Sequence, residues 1–217
     1  MSAGRSERPQ VAAARRVGVT DERVLAAMAA VPRERFVPPA ARSEADLDRP
    51  LRIGSNQTTS QPSLIATMLQ ALRLTGTERV LEVGTGFGYQ AALLAHLVAE
   101  VVTVERHALL ADRARGNLVA VGLAHVTVLV GDGTLGAPEY APFDAITVAA
   151  AAPAVPPALA EQLAPGGRLV APIGPRGQQV VVVYEYRDGQ LVVVERLTAV
   201  RFVPLVSDGP DRLGRDR

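Results

Sequence analysis

From about residue 78 onward, short apolar runs alternate with longer segments in which apolar and polar positions are mixed. Apolar runs bounded by turn residues are typical of buried strands, and the mixed segments have the spacing of amphipathic helices. Their regular alternation predicts an α/β fold with a doubly wound, mostly parallel sheet. The predicted strands lie near 79–83, 100–105, 126–130, 143–149, 167–173, 179–186 and 191–198, and the predicted helices lie near 88–98, 107–121 and 156–163.

The last two predicted strands are separated by Arg187-Asp188-Gly189-Gln190. An Asp-Gly pair between two apolar runs indicates a tight hairpin. We therefore expect antiparallel strands at the C-terminal end of a Rossmann-like sheet, and no separate second domain.

The N-terminal third of the chain lacks this alternation. Residues 1–16 are polar and then rich in alanine, and they are predicted to be a disordered lead. Thr20 is predicted to be the N-cap of a helix that runs through Ala30, because threonine is a favoured cap and acidic residues follow it. A short helical turn is predicted within 33–39, and a polar loop over 40–50.

A stretch rich in hydroxyl and amide side chains runs from Leu51 to Pro62, before a helix predicted over about 63–72. Ser60 is placed to cap this helix, with Pro62 in its first turn. The single domain, 17–217, is then expected to have three parts. These are 17–75 with the N-terminal helices and this loop, 76–206 with the sheet, and 207–217 as a polar tail.

The most informative motif is a buried strand, a glycine turn and a helix start between Val80 and Tyr89. Gly84, Gly86 and Gly88 are spaced G-x-G-x-G, whereas a dinucleotide-binding turn has G-x-G-x-x-G. Glu82 lies in the strand, where its carboxylate would repel a pyrophosphate but would suit a cofactor that carries an ammonium and a sulfonium. The motif therefore favours an S-adenosyl-L-methionine (SAM) site over a nicotinamide dinucleotide site.

Two further acids follow two further predicted strands. Glu105 lies about 20 residues beyond Glu82, the spacing expected for an acid that binds both ribose hydroxyls. Asp132, between Gly131 and Gly133, is placed to accept a hydrogen bond from an adenine amino group. Acids and glycines end many strands for structural reasons alone, but three acids at three successive strand ends favour the cofactor site.

Composition excludes several other classes of protein. The 217 residues carry a net charge of +1, which gives no electrostatic case for nucleic acid or an anionic membrane. The absence of cysteine excludes disulfides, a thiol nucleophile and thiolate-bound metal, and the three histidines lack metal-ligand spacing. No apolar stretch reaches transmembrane length and no signal-peptide core is present, so we expect a cytoplasmic protein. We also expect it to bind no metal and to be a monomer.

Segments spread over 17–205 resemble the protein-L-isoaspartate O-methyltransferase family, within the class I SAM-dependent methyltransferases. The glycine turn alone indicates only the class, whereas two other segments, 57–62 and 201–205, are far more specific to the family. One departure is Ser55-Asn56, where the family often has an aromatic residue or histidine followed by glycine, and Thr59 replaces a common isoleucine. The two specific segments are Gln57-Thr58-Thr59-Ser60-Gln61-Pro62 and Arg201-Phe202-Val203-Pro204-Leu205.

The resemblance implies methylation of the free α-carboxylate of L-isoaspartyl residues in damaged proteins and peptides, which starts repair to L-aspartate through a succinimide. It implies that Ser60 is the catalytic residue, in a loop that covers the cofactor's sulfonium and the substrate carboxylate. The candidate cofactor-binding residues are Gln57, Thr58, Glu82, Gly84, Thr85, Gly86, Gly88, Glu105, Arg106, Asp132 and Gly133. The candidate substrate-binding residues are Thr58, Thr59, Ser60 and Arg201.

Several alternatives stay open from the sequence. A carboxyl methyltransferase could act on an aspartate of one dedicated peptide, or on a small molecule. A catalytically silent SAM-binding protein would not need Ser60 and the three acids together. Arg201 either contacts peptide substrate or holds the C-terminal strand in place.

Overall fold

The computed structural model describes residues 7–209, and seven of its strands form one sheet in the order β5-β4-β3-β6-β7-β8-β9. A separate two-stranded hairpin joins the other two strands, and six helices lie around the sheet. The strands are β1 (Leu51–Gly54), β2 (Gln57–Thr59), β3 (Arg79–Val83), β4 (Glu100–Glu105), β5 (Thr127–Val130), β6 (Phe143–Val148), β7 (Leu163–Ile173), β8 (Gln179–Arg187) and β9 (Gln190–Val200). The helices are α1 (Pro9–Arg16), α2 (Glu22–Ala30), α3 (Pro62–Ala71), α4 (Tyr89–Ala95), α5 (Ala108–Ala120) and α6 (Pro157–Glu161).

The central strands are parallel, as the alternation predicted. β3 pairs with β4 on one side and with β6 on the other, and both pairs run parallel. Apolar side chains pack on both faces of these strands, because helices cover both faces of a parallel sheet. Val80 and Val101 face the layer that carries α1 to α5, whereas Leu81 and Val102 face the layer that carries α6.

The C-terminal strands are antiparallel, which confirms the hairpin prediction. β8 pairs antiparallel with β7 and with β9. Asp188 and Gly189 turn the chain between β8 and β9 with φ of 50° and 79°. The left-handed backbone explains why the pair is Asp-Gly, since both residues tolerate positive φ.

The predicted disordered lead is wrong for residues 9–16, which form α1, and residues 1–6 lie outside the described residues. Val11, Ala13 and Ala14 are buried in this helix, and Gln10 is buried with them. The sequence signal was weak because small alanines supply most of the apolar face. Of the predicted polar tail, 207–209 is described and 210–217 lies outside the described residues.

Both predicted helix caps are also wrong. Asp21, not Thr20, caps α2, and its Oδ1 accepts from Arg23 N at 2.9 Å. Ser60 does not cap α3, whose N-cap is Gln61 and makes no side-chain capping bond. Asp48 supplies the acceptors from a distant position instead, so local sequence gave no sign of it.

Two other predictions need correction in the N-terminal part. The stretch predicted as a loop over 51–62 contains the hairpin of β1 and β2, which pair antiparallel. Within the predicted polar loop 40–50, a short 3-10 helix occupies Pro39–Glu44. The helical turn predicted within 33–39 is confirmed at Arg33–Phe36.

Candidate active site

A cavity of about 340 Å³ lies at the carboxyl ends of β3, β4 and β6. β3 is a topological switch point, because β4 and β6 lie on opposite sides of it, and open α/β sheets bind ligands at such points. The volume is within the range of roughly 300–1,000 Å³ that is usual for small-molecule sites. Eleven of the candidate residues line this cavity: Gln57, Thr58, Thr59, Ser60, Glu82, Gly84, Thr85, Gly86, Glu105, Arg106 and Gly133.

The glycine turn is shaped by close neighbours as well as by positive φ. Gly86 has φ of 56°, and a Cβ there would lie 2.9 Å from Ile53 Cδ1 of the hairpin. Gly88 has φ of 92° and is the N-cap of α4. A Cβ at Gly88 would lie 3.4 Å from Ala114 Cβ on α5, so Gly88 allows helix packing and does not itself line the cavity.

Glu82 is a fully buried carboxylate at the floor of the cavity. Its Oε2 accepts from Thr103 Oγ1 at 2.6 Å, and its Oε1 has no hydrogen-bond partner within residues 7–209. Burial raises the pKa of Glu82 to about 8; the Thr103 hydrogen bond lowers it, and the nearby charge of Glu105 raises it further. A cationic group beside Oε1 would therefore stabilise the charged form and satisfy the free oxygen.

The hydroxyl groups of Thr85 and Thr103 extend this polar cluster. Thr85 is buried, and its Oγ1 lies 2.6 Å from Thr103 Oγ1. A hydroxyl has one proton to donate. When Thr103 donates that proton to Glu82, Thr85 donates to Thr103, and the chain of hydrogen bonds fixes the Glu82 side chain.

Glu105 joins the end of β4 to the glycine turn. Its Oε2 accepts from Gly86 N at 2.9 Å, and its Oε1 accepts from His107 N at 3.0 Å. Each carboxylate oxygen can accept a second hydrogen bond. Glu105 can therefore hold its backbone partners and still accept from two ribose hydroxyls in the cavity.

Asp132 does not line the cavity, although its neighbour Gly133 does. Its Oδ1 accepts from Thr134 N at 2.8 Å, and its Oδ2 accepts from Asp208 N at 2.8 Å and from Ser207 Oγ at 3.1 Å. These bonds fasten the C-terminal segment to the end of β5. The predicted contact with adenine stays a prediction that this set of partners does not favour.

The C-terminal segment Val203–Val206 lines the cavity, which the sequence interpretation missed. Ala151 N donates to Val203 O at 2.8 Å, and Leu205 N donates to Ala151 O at 2.7 Å. Arg106 holds the next residues, because it donates to Val206 O at 3.0 Å and to Asp208 Oδ1 at 2.8 Å. The small residues at 149–152 were the available signal, since only small side chains let another segment approach so closely.

A second, larger cavity of about 870 Å³ adjoins the first. Ser60 and Thr58 line both cavities, so their loop lies between the two. Ser60 is half-buried, and its main-chain carbonyl accepts from Arg33 NH2 at 3.1 Å. Arg201 is exposed and lines only the second cavity, on the far side from Glu82.

The turn of the hairpin explains the departure at positions 55 and 56. Ser55 and Asn56 have φ of 48° and 57°, so both adopt the left-handed conformation of a tight hairpin turn. Asn56 tolerates this conformation, and the turn carries Gln57 and Thr58 to the mouth of the cavity. Loop geometry at this point is therefore kept without the glycine.

None of the helices described is long and apolar enough to cross a membrane. No group of three or more histidine, cysteine, aspartate or glutamate side chains in the described part of the chain could hold a metal ion.

The parallel sheet, the glycine turn after β3 and the acids Glu82 and Glu105 together define a class I SAM-dependent methyltransferase. Comparison with known proteins narrows the class. Residues 7–209 match the family model described as protein-L-isoaspartate(D-aspartate) O-methyltransferase, and the chain belongs to this family.

Relatives and solved structures agree with this placement. The chain is 53% identical over 189 residues to a protein-L-isoaspartate O-methyltransferase of Methanoregula boonei, covering 87% of each chain. It is 56% identical over 191 residues to one of Anaeromyxobacter dehalogenans, covering 87% of this chain and 91% of the relative. A solved protein-L-isoaspartate O-methyltransferase superposes with a TM-score of 0.82 at 29% identity, covering 96% of this chain and 67% of that one.

A second solved structure supports the fold. It is a Plasmodium falciparum protein in complex with S-adenosyl-L-homocysteine, 24% identical, with a TM-score of 0.80 and coverage of 94% of this chain and 99% of that chain.

Proposed function

We propose that this protein transfers the methyl group of SAM to the free α-carboxylate of L-isoaspartyl residues in proteins and peptides. The observation that carries this proposal is the position of the Ser60 loop. On one side, Ser60 and Thr58 line the first cavity, which contains the buried side chains of Glu82 and Glu105. On the other side, they line the larger second cavity. Cofactor and peptide can therefore meet at this loop.

The residues of the first cavity fit SAM. Glu82, with its free buried Oε1, suits a cation of the methionine moiety, and Glu105 is placed to accept from the ribose. The turn at Gly86 packs tightly against the hairpin, because a Cβ there would lie only 2.9 Å from Ile53 Cδ1. When bound, SAM supplies a methyl group on a positively charged sulfur.

The substrate carboxylate needs no general base. A carboxylic acid is ionised at neutral pH, so an oxygen lone pair is already available to form the new bond to the methyl carbon. The carbon–sulfur bond breaks as this bond forms, and its electron pair stays on sulfur. The products are a neutral methyl ester and S-adenosylhomocysteine, and no proton is transferred.

The protein's contribution is therefore orientation and exclusion of water. Ser60 Oγ is the proposed donor that aims the carboxylate, together with main-chain N–H groups near Thr58 and Thr59. Arg201 is the proposed contact with the peptide further along the second cavity. The ester is a better electrophile than the carboxylate, so the adjacent amide nitrogen attacks it without the enzyme. The ester C–O bond breaks, methanol leaves with the amide proton, and a succinimide remains that water hydrolyses in part to normal aspartate.

The same proposal includes a monomer that works in the cytoplasm without a nucleic-acid or membrane partner. The near-zero net charge of +1 supports the expected absence of a nucleic-acid or membrane partner, because an extended anionic surface would attract this chain only weakly.

Paired peptides test the reaction. The purified protein is incubated with SAM and with either an L-isoaspartyl peptide or the same peptide with normal L-aspartate, and S-adenosylhomocysteine and peptide mass are followed. Methylation of the isoaspartyl peptide alone is expected. Methylation of neither peptide, with SAM still bound, would overturn the proposed substrate and favour a dedicated peptide or a small molecule.

A further inference from the structure

Arg33 is a fully buried guanidinium beneath the loop that carries Ser60. It lies in the short helical turn Arg33–Phe36, and it points to main-chain carbonyls of two separate stretches of chain. NH1 donates to Ala45 O and to Leu47 O, both at 3.0 Å, and NH2 donates to Arg49 O at 2.9 Å and to Ser60 O at 3.1 Å.

Burying the Arg33 guanidinium in this way contributes little to the stability of the fold. No carboxylate forms an ion pair with Arg33 within residues 7–209, and its Nε lacks a hydrogen-bond partner there. Burial lowers the pKa of Arg33, and the electrostatic influence of Tyr89, Asp48 and Asp46 opposes that shift. A buried cation held by carbonyl dipoles gains less than one held by a carboxylate, so its main contribution is to fix geometry.

The same guanidinium contacts the cofactor side of the site. Its Cζ lies 5.8 Å from the centroid of the Tyr89 ring, within cation–π distance. Tyr89 begins α4, directly after the glycine turn, and it lines the first cavity. Tyr89 Oη donates to Gln10 Oε1 at 3.5 Å, and Gln10 Nε2 donates to Ala45 O at 2.8 Å, so the three side chains form one buried cluster.

The loop is held from its other side by Asp48. Its Oδ1 accepts from Ser63 N at 2.8 Å, and its Oδ2 accepts from Gln61 Nε2 at 2.9 Å. Arg33 therefore holds the main-chain carbonyl of Ser60 itself, and Asp48 holds the next residue, Gln61. These two attachments restrain the main chain on both sides of the Ser60 side chain.

We propose that Arg33 is a positioning residue for methyl transfer, which sets the main chain at Ser60 so that the hydroxyl faces both cavities. Arg33 touches neither reacting atom, and it acts through the Ser60 carbonyl and through the loop at 45–49. This inference rests on the proposed function, because it assigns the role of Ser60 in that reaction. Displacement of a reacting group by about 1 Å can lower a rate by roughly a hundredfold.

Arg33→Lys tests the proposal, because lysine keeps the charge but cannot bond four carbonyls in a fork. Arg23→Lys is the matched control, since Arg23 also donates to two main-chain carbonyls, Leu74 O at 2.7 Å and Leu97 O at 2.5 Å, away from both cavities. For Arg33→Lys we expect kcat on an isoaspartyl peptide to fall about tenfold or more, with a raised peptide KM. The dissociation constant for SAM is expected to stay within about twofold.

Arg23→Lys is expected to leave kcat and the peptide KM unchanged. It should lower the melting temperature less than Arg33→Lys does, because Arg23 is exposed and Arg33 is fully buried. Equal kinetics for the two variants would overturn the positioning role. Inactivity of the wild type and of Arg23→Lys would instead contradict the proposed function, so the two failures are distinguishable.

Amide hydrogen exchange separates positioning from global loss of stability. Arg33→Lys should speed exchange over 45–61 more than over the strands of the sheet, and uniform acceleration would contradict the proposal. If Arg33→Lys does not fold, Gln10→Ala decides, because it removes the other side-chain donor to Ala45 O and keeps the Arg33 guanidinium. The carboxylate of Asp46, which also accepts from Gln10 Nε2, is exposed and stays hydrated. Its kcat should fall about two- to fivefold with SAM affinity unchanged, and an unchanged kcat would overturn the proposal.

Discussion

Glu82 combines two properties that rarely coexist in a stable protein, full burial and an unpartnered carboxylate oxygen. Each is unfavourable without a ligand, because an isolated buried charge loses its hydration. In the ligand-free protein, burial above all raises the pKa of Glu82 to about 8. The side chain is therefore protonated, and no isolated charge is buried, at neutral pH. Cofactor binding is expected to reverse that state, since a cation beside Oε1 favours the carboxylate.

The pH dependence of stability follows from the raised pKa. Between the ordinary value of 4.5 and about 8, the folded protein holds a proton on Glu82 that the unfolded chain has released. The free energy of unfolding of the ligand-free protein should therefore fall as pH rises through this window. Glu82→Gln removes the titration, so its melting temperature should decline less between pH 5 and about pH 8.

Binding of SAM at pH 7 should release a proton from Glu82, and affinity should rise with pH toward 8. Calorimetry in buffers of different ionisation enthalpy measures that proton directly. Equal heats in all buffers would show that Glu82 is already ionised and would contradict this account of the cavity floor.

Among the elements, α3 and the hairpin of β1 and β2 depend on attachments that are distant in sequence. Asp48 serves as the cap of α3 from 15 positions before Ser63, through Ser63 N and Ser63 Oγ at 2.8 Å each. Ile53 of β1 packs against the glycine turn at Gly86. The hairpin is therefore fixed to the cofactor half by a few specific contacts, whereas α1 to α3 share a hydrophobic core with the sheet.

Asp48→Ala should lower the free energy of unfolding by about 1–2 kcal/mol, because α3 loses its charged cap. It should also lower turnover on an isoaspartyl peptide, since the loop at 48–61 loses one of its two attachments. Asp112→Ala is the control, because exposed Asp112 pairs with half-buried Arg115 at the surface and such pairs contribute little. Urea unfolding gives the difference, and equal losses for both variants would contradict the capping role.

These elements also show what the sequence could and could not predict. The sheet and its antiparallel end followed from apolar runs and from Asp188-Gly189, because those signals are local. Asp48 as a cap, α1 as a helix and Val203–Val206 as a cavity wall did not, because each depends on a partner far along the chain. The expectation that Glu82 and Glu105 lie at one cavity is confirmed, because strand ends gather at one edge of a parallel sheet whatever the loops do.

At the scale of the whole molecule, two halves of different construction meet at one loop. The parallel strands provide the first cavity, with Glu82 and Glu105 at its floor and side. The N-terminal loop and the antiparallel β9 provide the second cavity, and the segment after β9 then returns to cover the first. The loop at Ser60 lines both cavities, and we expect this loop to orient the substrate carboxylate for methyl transfer.

Ser60→Ala tests that claim most directly, with methyl transfer from labelled SAM to an isoaspartyl peptide followed beside SAM affinity by calorimetry. Loss of one hydrogen bond to a charged carboxylate, about 1.5–3 kcal/mol, should lower kcat/KM by roughly ten- to a hundredfold. SAM should bind with its wild-type dissociation constant, because Glu82 and Glu105 are unchanged. Methylation by Ser60→Ala at the wild-type rate would contradict the account.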